Sequence, residues 1–142
     1  MPEHVVDHRT KDALKALKTY SENQDNEGPT VTFSRLSQSL FGQSFFGGGA
    51  MDKLGGDTLE SQNCEAWMLD PDGGQPNEFA MSLSLDLLTA RLTGKWTLPG
   101  GTVQTPSFQI RLQETGQSGQ FLIFNSEETS DGATYGVCFA ML

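Results

Sequence analysis

Both histidines of the chain, His4 and His8, stand one helical turn apart in the run His4-Val5-Val6-Asp7-His8. Imidazoles at that spacing share a helix face and can hold zinc together. No later histidine supplies a third imidazole, so the run reads as two solvated side chains on a helix start, and neither a metal nor a cofactor is expected. Asp70-Pro71-Asp72-Gly73-Gly74, with Glu78 beyond, offers oxygen ligands of the calcium-loop kind. Pro71 follows the first Asp, Gly74 takes the third ligand's place and Glu78 comes early, so the run reads as a turn. Ser-His-Asp and Cys-His mechanisms find no support, because both histidines sit at one end and no nucleophile lies in a glycine-flanked elbow. Asp86 interrupts the best strand where its apolar phase shifts. It is the first candidate for a general acid or base beside a cavity, and its ordinary role would be in a turn or bulge. Gly47-Gly48-Gly49 and Gly100-Gly101 lack the lysine of a phosphate loop and the spacing of a dinucleotide fold. What remains is aromatic. Trp67, Trp96, Phe108, Phe121, Phe124, Tyr135 and Phe139 crowd the strand region of residues 64–142, and Phe45 and Phe46 sit on a glycine-rich stretch. Such rings form plain core, or line a pocket for an apolar or planar ligand. Trp67, Trp96, Tyr135, Phe45 and Phe46 are the candidate ligand-binding residues; none is assigned a catalytic role.

Two short runs resemble known families. The histidine run resembles the H-x-x-E-H motif of inverted zinc peptidases, with Asp7 in place of Glu. Leu92-Thr93-Gly94-Lys95-Trp96-Thr97 resembles the first strand of avidin-type biotin-binding barrels. In that family the segment opens an eight-strand barrel, and here too little chain follows it to build one. The resemblance spans these few residues and carries over neither biotin nor a residue role.

The elements that position the rings are read from periodicity. Phe79, Met81, Leu83 and Leu85 alternate with Ala80, Ser82 and Ser84; Phe108, Ile110 and Leu112 alternate with Ser107, Gln109 and Arg111. Tyr135, Val137, Phe139 and Met141 alternate with Gly136, Cys138 and Ala140. Period-two alternation puts one set on a core and the other in water. At Leu87 and Leu88 the phase changes, so that Leu88, Ala90, Leu92, Trp96 and Leu98 become the apolar set; a bulged or bent long strand is expected there. Residues 1–24 read as an N-terminal helix with a stripe of Val6, Ala13, Leu17 and Tyr20, or as a shorter helix capped by Thr10. Residues 30–33 are a short β-prone piece, and residues 34–46 stay open between a helix capped by Ser34 and irregular chain. Residues 42–62 read as a glycine-rich loop whose apolar residues, Phe45, Phe46, Met51 and Leu54, either anchor it or make it a lid. Residues 64–142 form the antiparallel β region.

A chain of 142 residues is most simply one domain, and its formal charge of −9 repels phosphate backbones and anionic lipid. The expected partners are therefore a small apolar ligand or a protein, with no nucleic acid and no membrane; a homo-oligomer is left open. No run approaches the ~20 apolar residues of a membrane helix. Charges occupy the stretch where a signal peptide would be apolar, which reads as cytoplasmic. Cys64 and Cys138 are then expected as free thiols on neighbouring strands. The fold class expected is α+β: an N-terminal helix packed on a curled antiparallel sheet, or a small β-barrel, of five to six or more strands in meander order. The function expected is a non-enzymatic binding module, taking a small apolar or aromatic ligand or a partner protein in an aromatic-lined β cavity or face. The alternatives are a cyclase- or isomerase-like barrel enzyme with a carboxylate acid/base, and an acidic interaction protein of the immunity or chaperone type.

Overall fold

The computed structural model describes residues 5–23, 28–37, 44–53, 55–69, 75–98, 100–127, 129 and 133–141. Helix α1 (His8–Glu22) starts at Asp7, whose extended backbone and side chain cap it by accepting from the Thr10 N–H at 2.8 Å. The cap is thus Asp7, not Thr10. Thr10 is buried instead, and its hydroxyl accepts from the Leu112 N–H at 3.0 Å, pinning the helix to a strand. His4 and the 70–74 turn lie outside the described residues.

The strands are β1 (Thr30–Ser37), β2 (Phe45–Ala50), β3 (Asp52–Lys53), β4 (Thr58–Met68), β5 (Asn77–Asp86), β6 (Arg91–Thr97), β7 (Val103–Gln104), β8 (Ser107–Thr115), β9 (Phe121–Ser126) and β10 (Ala133–Ala140). Every pairing between them is antiparallel. Eight of them, β1, β2, β4, β5, β6, β8, β9 and β10, follow one another round a closed path, because β2 pairs with β4 on one side and β1 with β10 on the other. The sheet is therefore a meander whose last strand returns to its first. The segment that resembles an avidin-type first strand is β6, in the middle of this ring.

Alternation builds the interior as expected on β5, β8 and β10: Phe79, Met81, Leu83, Leu85, Phe108, Ile110, Leu112, Tyr135, Val137 and Phe139 are all buried. Three expectations fail. Residues 34–37 extend β1, so they are neither a helix capped by Ser34 nor irregular chain, and residues 38–43 lie outside the described residues. Residues 45–50 belong to a strand rather than a loop. Gly47 and Gly48 are small because backbone lies against them: a β-carbon on Gly47 would stand 2.6 Å from the Glu65 carbonyl oxygen, and one on Gly48 would collide with that of Val31. The glycine run seats β2 tightly between β1 and β4, so Phe45 and Phe46 are strand residues and not part of a lid. Asp86 ends β5 at a hairpin rather than a bulge. Its Oδ1 accepts from the N–H groups of Leu88 and Thr89 at 2.9 and 3.1 Å, and the chain returns through Ala90 at φ 60°. Leu88 consequently points outward, 67% exposed, against the apolar phase expected for it.

Registers define two ends. Thr30, Ala50, Thr58, Asp86, Arg91, Phe121 and Ala140 mark one; Phe45, Met68, Asn77, Thr97, Ser107, Ser126 and Ala133 mark the other. Helix α1 lies across the first end. Its Ala13, Leu14 and Leu17 join one core with Met51, Leu59, Leu85 and Leu87. Lys18 pairs with Asp57 at 2.7 Å, and Arg9 donates to the Gln113 carbonyl at 3.2 Å. Asp57 raises the Lys18 pKa through that charged hydrogen bond. The narrow apolar stripe of the helix is thus matched to the ring's end.

Candidate functional site

The opposite end collects rings. Phe33, Phe45, Phe79, Trp96, Phe108 and Tyr135 point inward from β1, β2, β5, β6, β8 and β10, all buried. Phe33 lies at the centre, with ring centroids 5.3 to 6.2 Å from those of Phe45, Trp96, Phe108 and Tyr135. Phe45 meets Phe79 and Trp96 edge-on at 5.3 and 5.0 Å. Phe108 and Tyr135 are almost parallel, 4.3 Å apart with an interplanar angle of 6°. Such offset and edge contacts suit the charge distribution of aromatic rings. Trp96 fits because Gly94, the preceding inward position on β6, has no side chain, and its indole occupies that space. The indole Nε1–H donates to Gln104 Oε1 on β7 at 2.8 Å, the polar tie of the buried ring.

Of the candidate ligand residues, the fold brings Phe45, Trp96 and Tyr135 together inside. Phe46 and Trp67 are placed elsewhere, because neighbours on a strand face opposite ways. Phe46, 40% exposed, pairs with Trp67 across β2 and β4, and the two stack at 5.5 Å on the outer face. Phe121, also 40% exposed, likewise lies outside the cluster.

Three members were not singled out from sequence as site residues: Phe33, Phe79 and Phe108. A fourth inward side chain is polar. Arg35 follows Val31 and Phe33 in the same phase, stands in register opposite Phe45 and Tyr135, and places its Cζ 5.9 Å from the Phe45 ring centroid. The signal that finds Arg35 is the Val31-Phe33-Arg35 alternation, provided β1 is extended past Phe33. Among the described residues of the eight ring strands, it is the one charged side chain on the inward face.

The remaining candidates are dispersed. Asp86 lies at the α1 end, engaged by its turn, away from the rings and outside the core. Cys64 and Cys138 are free thiols, but on β4 and β10, which β1 and β2 separate; the expectation of neighbouring strands fails. Burial pushes both thiols above their usual range, and Cys64 donates to Ser61 Oγ at 3.1 Å. Among the described residues no three His, Cys, Asp or Glu side chains gather as a metal set. A surface groove of about 410 Å3 runs between α1 and the β5–β6 turn, with His8, Lys11, Lys15, Lys18, Asp57 and Leu88 on its walls. Its charges are mixed, and it holds none of the aromatic residues. No described helix is long and apolar enough to cross a membrane.

No protein-family model, curated protein or solved structure matches this chain.

Proposed function

We propose that this protein binds one small, largely apolar ligand with a planar ring at the end of the β ring opposite α1, without transforming it. The observation that carries this reading is the segregation of the core. Six aromatic rings from six strands converge at one end, while the rest of the interior towards the helix is mostly Leu with Val31, Met51 and the Phe124–Phe139 pair. An interior bounded by about eight strands is just filled by its own side chains, or holds one small ligand. Gly47, Gly94 and Ala66 add little bulk at this level, so the rings fill most of it, with Met68 and Met81 beside them. A planar ligand replaces ring-to-ring contacts with equivalent ones when Trp96 leaves the space over Gly94. Among the described residues no carboxylate on the inward face offers acid/base chemistry, which is why binding is favoured over the cyclase or isomerase reading.

The test uses the Trp67→Phe variant, in which Trp96 is the sole tryptophan. Titration with the neutral fluorophore N-phenyl-1-naphthylamine should give saturable energy transfer from Trp96. Linear, unsaturable transfer would remove the proposal.

A second reading, docking of a partner protein, is favoured by the outer face alone. Phe46, Trp67 and the exposed Leu69 make an apolar patch beside the ring. Aromatic clusters of this kind mark protein contacts more often than plain surface. Phe46→Ser should then abolish a complex while leaving fluorophore binding intact.

A further inference from the structure

We infer, resting on the partner-docking reading of the outer face, that the partner is a protein with a basic segment. Its arginine or lysine side chains lie on the Trp67 ring, between Glu65 and Glu78. The registers place these groups together. Phe46, Trp67 and Glu78 form one row across β2, β4 and β5, and all three point outward. Phe46 stacks on one side of Trp67 at 5.5 Å, so the indole turns its other side towards β5 and Glu78. Glu65 precedes Trp67 by two residues on the same face, and Leu69 follows it by two. The cross-strand neighbours of Glu65 are Gly48 and Ala80, too small to cover its stem, and both glutamates are exposed.

The charges decide what such a face takes. Glu65 and Glu78 are diagonal neighbours across β4 and β5, a relation that sets side chains roughly 7–8 Å apart. Like charges so close repel, and a cation seated between them removes the repulsion. Among the described residues neither glutamate is held in an ion pair. No described outward position of β1, β2, β4 or β5 carries a lysine or arginine, whereas Arg9, Lys11, Lys15 and Lys18 lie on α1 at the other end of the ring. An indole face attracts a cation through its ring electrons, arginine most often. Phe46 and Leu69, 40% and 42% exposed, offer an apolar floor to the stems of basic side chains. An exposed apolar patch rimmed by one sign of charge selects a partner of the other sign, and the net charge of −9 draws that partner in from a distance.

The experiment follows the fluorescence anisotropy of two labelled peptides. One alternates arginine with alanine; the other carries citrulline, a neutral isostere, in place of each arginine. Wild-type protein should bind the arginine peptide about tenfold or more tighter at low salt, and the preference should shrink as salt rises. Glu65→Gln combined with Glu78→Gln should cut the preference to about threefold or less. The remote pair Asp12→Asn with Glu114→Gln removes the same charge and should change it by less than about twofold. Trp67→Leu should weaken the arginine peptide about two- to fivefold more than the citrulline peptide. Equal binding of the two peptides, lost in Phe46→Ser, would overturn the basic partner and leave the docking face standing. Equal losses in the patch pair and the remote pair would assign the attraction to net charge and overturn the role of Glu65 and Glu78. Failure of both peptides to bind at millimolar concentration would overturn the docking face itself. The comparison of the two peptides on wild-type protein decides the matter even where a variant folds poorly.

Discussion

Replacing Phe33 by Ala tests whether the aromatic cluster is a cooperative core. Phe33 is fully buried and touches four other rings, so truncation leaves a void lined by Phe45, Trp96, Phe108 and Tyr135. Losses of this kind cost about 3–5 kcal/mol, because the walls relax only partly. A domain of this size has about 5–15 kcal/mol in all, so the variant should fold with a narrow margin. With a urea dependence of about 2 kcal/mol per molar, a loss of about 4 kcal/mol moves the midpoint down by about 2 M. The assay is urea unfolding followed by Trp96 emission in the Trp67→Phe background, with Phe46→Ala as the control. Phe46 is partly exposed and lies on the outer face against position 67, outside the six-ring cluster, and its loss should cost less than about 1 kcal/mol. Equal midpoint shifts for Phe33→Ala and Phe46→Ala would refute the assignment of Phe33 to the centre of the ring.

Other expectations are more local. Gly47→Val should destabilise by about 1–3 kcal/mol through overpacking, since even a β-carbon would stand 2.6 Å from the Glu65 carbonyl oxygen; an unchanged thermal midpoint would count against the tight seam. The Asp7 carboxylate is held below its usual range first by the Thr10 backbone N–H, with Arg111 and Arg9 contributing. Because its folded pKa lies below the unfolded value, its stabilisation is present above the ordinary carboxylate range and is lost as pH falls through the lowered pKa. Asp7→Ala should therefore cost about 0.5–2 kcal/mol at neutral pH, and the gap to wild type should close in acid. A gap independent of pH would point to packing rather than to the charged cap. Burial raises both thiols, so labelling of native protein by a disulfide reagent should be slow near neutral pH and faster in alkali. Cys138, half-buried on the outer face, should react before Cys64, which should need unfolding; the reverse order would contradict the inward placement of Cys64.

Strands with large inward and small polar outward residues wrote their phase plainly into the sequence, and β5, β8 and β10 lie where that phase puts them. β2 did not, because glycine carries no phase; its run is explained by backbone that only the folded ring brings near. β1 was half legible. Residues 30–33 read as β-prone, but Arg35, at the next position in the Val31-Phe33 phase, ends the apolar pattern before the strand itself ends at Ser37. Trp67 and Phe46 were misplaced for a related reason: residue type suggested a pocket, while face is decided by register with the neighbouring strand. At Asp86, turn chemistry and bulge chemistry use the same residue, and only the hydrogen bonds to Leu88 and Thr89 separate them.

Joining β1 to β10 also has a consequence for synthesis. Thr30 waits for Ala140 and Phe33 for Val137, so one flank of β1 stays without its backbone partners until β10, about a hundred residues later, has emerged. During that interval an exposed strand border is available to any other nascent chain. Completion of the circle therefore depends on the most sequence-distant contacts, which are slow to form, and it removes the hazard only at the last step.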